Sequence, residues 1–599
     1  MHWKLLTEKT KNRKSRKNRS TLTEKAALAF FIEKTCYKTM EKREKKHKED
    51  LIMKKKLVGI LLIVSMTVLG LSGCGGAGAQ TEEETADTTA VSTETGEIQK
   101  NADVISEVTA DASAKIADEI TYARAADVTC LDPVLVSYTA DIQIVNMICE
   151  ELVTTNDDGT EIVPGLAESW DVSEDGLVYT FHIIPGLKFS DGSAVTAEDW
   201  KFSFDRAMTT AESSWAFAVE NIASVETPND DTVVITQKEA TANLLSNLSC
   251  FNVALQSKAH YDATNGYTDA GSYPIGTGSY CVSDWVTDDH ITLTANPNYH
   301  GDAPKTATIK FLTVPDDNSR MMMLKSKEVD VISDIPYSNM EELNSTDGII
   351  AAGLESTGNK YIIFNETSNE ALANKEVRQA LLYATDKQQI VDMVLNGYGE
   401  PAVSFLPMNG LYWNDEITPV EYDVDKAKDL LSDAGYADGF DLEVLVPSGN
   451  DTYAQIATIL KDMWAQIGVN LTITSLDQAA VYDQEYAMKH QMLFGSWSDD
   501  IADPSQLGSY WWDYDASQCF FTGYQNEDAQ KIFEQSQYEL DDSAREDLYF
   551  QLQKIFYDDV VAINMYHADA TVALSDSIQG YVQTPLYSYR FDKLIKVEE

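Results

Sequence analysis

Asp499, Asp500 and Asp503 lie within one short stretch, and paired carboxylates are the equipment of glycoside hydrolysis. In a chain with 96 acidic residues among 599, such a cluster is expected by chance, and adjacent acids on one strand or loop rarely face each other across a substrate. The other catalytic kits are absent from the text. The eight histidines (His2, His47, His182, His260, His290, His300, His490 and His567) are scattered, with no HExxH pair for a metal. There is no GxSxG elbow, no Walker loop, and no GxGxxG followed by a suitable acid. The seven cysteines (Cys36, Cys74, Cys130, Cys149, Cys250, Cys281 and Cys519) contain no CxxC, so the usual zinc and thioredoxin-like spacings are missing. Neither enzymatic activity nor a cofactor or metal is expected.

The formal charge is −50, yet the first 73 residues are basic, so the body that follows is more acidic still. Such a surface repels nucleic-acid phosphates and keeps the body soluble, which excludes nucleic acid as a partner class.

An address stands before the body. Lys54-Lys55-Lys56 precedes an apolar run, Leu57 to Leu71, and then Ser72-Gly73-Cys74. A basic start, a short apolar stretch and small residues before a cleavage point describe a secretory signal. The run is shorter than the ~20 residues of a spanning helix. Leu71-Ser72-Gly73-Cys74 resembles a bacterial lipobox, which implies that Cys74 becomes the first mature residue and carries the lipid that anchors the chain. Residues 53–73 are then a lipoprotein signal peptide, and 1–52 an extension from a start codon assigned too early. Residues 74–117 hold the lipidated Cys and a tether rich in Gly, Ala, Thr and acids, expected to be disordered because it lacks the apolar residues that would offset the entropy of ordering. Export permits disulfides among Cys130, Cys149, Cys250, Cys281 and Cys519, whose pairing sequence cannot fix.

The elements beyond residue 118 alternate between strand and helix. Tyr179, Phe181 and Ile183 alternate as a half-buried strand, and Pro185-Gly186 turns the chain. Thr196-Ala197-Glu198-Asp199 starts a helix with Trp200, Phe204 and Ala207 on one face. Phe440 to Val446 reads as a strand, Ile456 to Ile467 as a helix stopped at Gly468, and Val469 to Ile473 as a second strand, a βαβ pattern that argues for parallel pairing. Asp423 caps a further helix closed by Gly435, and one helix is expected from about Lys375 to Asn396.

Several stretches in order resemble the peptide/nickel (oligopeptide/dipeptide-binding) class of bacterial extracellular solute-binding proteins of ABC importers. They are Pro164-Gly165-Leu166-Ala167-Glu168-Ser169-Trp170, Asp175 to Phe181, Gly186 to Gly192, Thr196 to Asp199, Gly276-Thr277-Gly278-Ser279-Tyr280, Asn296-Pro297-Asn298-Tyr299, Glu328-Val329-Asp330, Phe364-Asn365, Val377-Arg378-Gln379-Ala380, Ala384-Thr385-Asp386 and Ala427 to Tyr436. The resemblance implies an α/β, two-lobed periplasmic-binding-protein-like fold of type II, in the large three-subdomain form, with mixed sheets and a hinge. By analogy, lobe I comprises 118–359 with a return at 567–599, and lobe II 360–566. It further implies an extracytoplasmic, membrane-anchored monomer that closes on a peptide and hands it to an ABC permease and ATPase complex.

Peptide-binding members of that family hold the ligand's ammonium with an Asp in a Trp-x-x-Asp segment, and Trp497-Ser498-Asp499-Asp500 aligns with it. Trp-x-x-Asp also occurs at Trp285–Asp288 and Trp512–Asp515, so position in the family order is what singles out Asp500 as ligand-binding, with Trp497 beside it and Tyr138 as a further cleft residue. Arg378 reads as a brace for the fold, and Asp191-Gly192 as a turn. The competing readings are the same fold with a nickel chelate, haem or oligosaccharide as cargo, a pheromone receptor, and a lipid-anchored hydrolase.

Overall fold

The alternation at Tyr179, Phe181 and Ile183 becomes the strand Val178–Ile183, with those three side chains buried and their neighbours partly so. The computed structural model describes residues 95–598 apart from 112, 269–270 and 409. The expected signal segment, Cys74 and the tether as far as residue 94 lie outside the described residues. Among the described residues no helix is long and apolar enough to cross a membrane.

Three sheets organise this region. A seven-stranded mixed sheet is centred on Glu119–Arg124, which pairs parallel with both Thr308–Thr313 and Val331–Ser333. Its far edge is Ile349–Leu354, antiparallel to Ala570–Ser575, a strand contributed by the end of the chain. A four-stranded antiparallel sheet runs in the order Ala167–Val172, Val178–Ile183, Thr232–Gln237, Ile222–Asn229, and carries its own core around Phe181, Trp200 and Phe204. The third sheet has six strands, all from residues 399–568 except Asn359–Phe364 near its centre. That strand buries Ile362 and Phe364 in one core and Tyr361 and Ile363 in another, which is why it reads as an unbroken apolar run. The chain therefore passes between the seven- and six-stranded sheets twice, through 355–358 and again at Asp569.

The predicted βαβ unit is present. Phe440–Pro447 and Val469–Leu476 pair parallel, joined by the helix Asp451–Ala465, and Gly468 ends the crossover at φ +85°. The capping box at Thr196 and Asp199 starts the helix Ala197–Thr209. Asp423 accepts from the Lys426 amide at the head of Val424–Asp433. Arg378 is the brace expected of it: its guanidinium donates to the carbonyls of Leu372 and Asp559 at 2.8 Å each.

Two expectations are corrected. The single helix from Lys375 to Asn396 is two, Lys375–Tyr383 and Lys387–Leu395. Asp386 accepts from the Gln389 amide and begins the second, while the Thr385 hydroxyl is engaged by the Leu381 carbonyl and the Trp464 indole. The tether expected to run disordered to residue 117 contains the helix Thr95–Ser106, which packs on Ile349–Leu354. Ile105 is buried in the core of the seven-stranded sheet, and Asn101 donates to the Ala351 carbonyl at 2.8 Å. A few anchoring contacts suffice to dock a helix that average composition does not reveal.

Candidate ligand-binding site

The strand Met492–Trp497 ends opposite Asn359, the first residue of the strand that enters the six-stranded sheet. The segment that follows is held tightly. The Trp497 indole donates to Asp499 at 2.7 Å, and the Asp499 amide donates to the Thr357 hydroxyl at 2.9 Å. The Gln506 amide group then donates to Asp500 Oδ2 at 2.9 Å.

The three aspartates of this stretch are electrically distinct. Asp503 is buried in a two-toothed ion pair with Arg545, at 2.6 and 2.9 Å. Burial pushes the Asp503 carboxyl up, but the guanidinium outweighs it and holds it below its ordinary value. Asp499 and Asp500 have no such partner among the described residues. Burial pushes Asp499 up to about 7, with the Asp500 charge adding to it, and pushes Asp500 up to about 6 against the Gln506 hydrogen bond.

Asp500 lines a cavity of about 260 Å³, and it is the one lining residue drawn from 359–568. The rest of the wall comes from the other side of the crossings. The helix Thr139–Ile148 supplies Ile142 and Asn146, the segment after it Glu150 and Glu151, and the chain's last segment Ser588 and Arg590. Burial, with the neighbouring Glu150, pushes the Glu151 carboxyl up to about 8. One oxygen of each glutamate is buried without a hydrogen-bond donor among the described residues. His300 meets the other oxygen of Glu150 at 3.1 Å. Four carboxylates on the wall, Glu150, Glu151, Asp500 and Asp592, outnumber the single guanidinium, Arg590, so the cavity suits a ligand that brings a positive charge and its own N–H groups.

The glycines of 276–278 place this wall. A Cβ at Gly276 would lie 2.0 Å from the Ile148 carbonyl oxygen, and one at Gly278 would lie 2.4 Å from that of Met147. Asn296 locks the passage by donating to the Gly278 carbonyl at 2.8 Å. The glycines hold the end of the cavity-lining helix, and Gly278 and Ser279 themselves line the wall.

A family model described as bacterial extracellular solute-binding proteins, family 5 Middle, matches residues 161–519. The chain belongs to this family. Family 5 proteins are solute-binding components of peptide/nickel ABC importers, and the fold is the type II periplasmic-binding-protein fold, as the resemblance implied. Heme-binding protein A of Haemophilus influenzae is 28% identical over 481 residues, 75% of this chain and 86% of the relative. The dipeptide-binding protein of Escherichia coli K12 is 27% identical over 468 residues, 73% and 86% of the two chains. The periplasmic binding protein DppA from Helicobacter pylori, solved with the peptide STSA, superposes with a TM-score of 0.69 at 25% identity, covering 81% of this chain and 99% of that one.

Within this family 5 protein, the residues singled out by sequence fall in different places. Asp500 lines the cavity. Trp497 does not; its ring packs on Tyr510 and Phe520, with centroids at 4.8 and 5.9 Å, and its N–H is spent on Asp499. Tyr138 precedes the cavity-lining helix, is 53% exposed, and is not part of the cavity wall. Asp191-Gly192 is a turn, with Gly192 at φ +87°. Sequence reasoning missed Glu150, Glu151 and Arg590, since isolated charges in an acid-rich chain carry no signal. The five cysteines from Cys130 onward are free thiols.

Proposed function

We propose that this chain is the lipid-anchored substrate-binding component of an ABC importer, capturing oligopeptides and dipeptides by hinge closure and delivering them to a membrane permease and its ATPase. Asp500 is the partner of the peptide's α-ammonium, Trp497 fixes the loop that carries it, and Tyr138 borders the entrance. The anchor is the lipid on Cys74, on the extracytoplasmic face of the membrane, and the protein works as a monomer. The observation that carries this reading is a partly buried carboxylate, with no cationic partner among the described residues, on a cavity wall where carboxylates outnumber the one guanidinium. The names of the E. coli and H. pylori relatives support the cargo class.

A charge-assisted hydrogen bond contributes about 1.5–3 kcal/mol. Asp500→Ala is therefore expected to weaken free-amino peptides roughly ten- to hundred-fold, and amino-acetylated ones far less, as measured by calorimetric titration. Equal loss for both would remove the assigned role. The Haemophilus relative's name favours haem as the second reading. Native mass spectrometry of the purified protein separates the two, because co-purified peptides give a ladder of masses and haem a single one.

A further inference from the structure

A second cavity, of about 270 Å³, lies at the two crossings between the sheets. Its wall carries Asp158 from the loop between two short strands, Glu355 on the first crossing, Glu400, and Asp569 on the second crossing, with no Lys or Arg. Burial, then the charges of Glu355 and Glu400, push the Asp569 carboxyl up to about 7. Glycine makes room for this charge, since a Cβ at Gly353 would meet Asp569 Oδ2 at 2.6 Å.

The same wall contains His567, which is 7% exposed and has neither ring nitrogen hydrogen-bonded among the described residues. Burial and the nearby Lys387 hold this imidazole down at about 4, so it is neutral at physiological pH. A buried neutral ring with both nitrogens idle presents one acceptor nitrogen without a donor, and it shares the wall with four carboxylates. Among the described residues no three His, Cys, Asp or Glu side chains are grouped as a metal would require. An organic cation would bring several N–H donors on a body that fits the cavity.

A small cavity of about 30 Å³ lies between this site and Asp500. It shares Gly159 and Thr357 with the second cavity and Leu586 with the first, and Asp499 lines it. The three cavities thus adjoin one another through shared wall residues.

We propose that the second cavity is a cation-recognising subsite that seats the lysine or arginine side chain of a bound peptide, so that the cargo is biased toward basic peptides. This deepens the peptide reading above and rests on it.

The test uses the full-length protein and tetra-alanine peptides in which position 2, 3 or 4 is replaced by lysine or by Nε-acetyl-lysine, titrated calorimetrically. At one position the lysine peptide is expected to bind at least ten-fold more tightly than its acetylated counterpart. Glu400→Gln, at an exposed position that the fold tolerates, should cut that advantage below three-fold, and Asp569→Asn should do the same. Equal affinity of both peptides at every position, or an advantage that survives both substitutions, would overturn the subsite while leaving peptide binding standing. Failure of every peptide to bind, acetylated or not, would instead remove the peptide reading and the subsite with it.

Discussion

Asp500 and Asp503 are three positions apart and sit in opposite electrostatic settings, which decides what each can do. Asp503 faces Arg545 and is neutralised within the fold, so removing the arginine would strand a buried charge. Among the described residues the Asp500 side chain has only the Gln506 amide, and burial lifts its carboxyl to about 6. An ammonium seated against it would favour the ionised form and lower that value. Binding of a free-amino peptide therefore releases protons, and affinity is expected to rise as pH goes from 5 to 7 and to level off above. The stability of the empty protein runs the other way. A carboxyl raised from 3.8 to about 6 contributes stability that is full below the lower value and lost as pH climbs through the upper one. Titrations across pH of the wild type and Asp500→Asn check this: the variant should show a flatter affinity profile. An unchanged slope would assign the proton to Asp499 or Glu151, whose carboxyls stand at about 7 and 8.

At the scale of elements, the motifs that reveal the family turn out to be joints of the scaffold. Asn365 donates to the His490 carbonyl at 2.9 Å, Asp330 accepts from the Thr121 amide at 2.9 Å and pairs with Lys596, and Gly276 and Gly278 pass the end of the cavity-lining helix. Gly435 is required for a different reason: nothing lies near it, but its φ of +88° closes a helix. Gly276→Ala presses on backbone that cannot rotate away. It is expected to cost on the order of 1–3 kcal/mol and to weaken ligand through Ile142 and Asn146, as thermal unfolding and titration would show. Retained stability with full affinity would mean the helix end shifts freely. The fold was legible because such joints fix residue types at fixed spacing, as the capping box at Thr196 and the βαβ unit around Gly468 do. The break at Asp386 was not, since Thr385 and Asp386 sit within an apolar stripe that runs through both helices. Of the residues read from the sequence as ligand-binding, Asp500 alone falls on the cavity wall. Glu150 and Glu151 gain meaning from a fold that brings the segment after one helix to face a loop some 350 positions later, and local pattern carries none of that.

The two sides of the cavity also touch outside its wall. The Asn243 side chain donates to the Ser505 hydroxyl at 3.0 Å, and the Ala242 amide to the Gln537 carbonyl at 3.3 Å. Beyond these, Glu239 shares a hydrogen bond with Tyr538, on a residue that is itself 53% exposed. If the molecule closes on its cargo, these contacts belong to the closed state alone, and each adds to apparent affinity by favouring that state without meeting the ligand. Tyr538→Glu sets a carboxylate against Glu239 at an exposed position where the fold has little at stake. Like charges about 4 Å apart repel by ~1 kcal/mol in water, so peptide affinity is expected to fall roughly five-fold at low salt. The loss should shrink as salt is raised toward 1 M, where screening reaches within about 3 Å. Tyr538→Phe removes the hydrogen bond without the charge and should show a smaller loss, independent of salt. Titration of one peptide against the three proteins at two salt concentrations separates these effects. If Tyr538→Glu binds as tightly as the wild type at low salt, this contact persists in the open form, and the motion that admits the ligand pivots elsewhere.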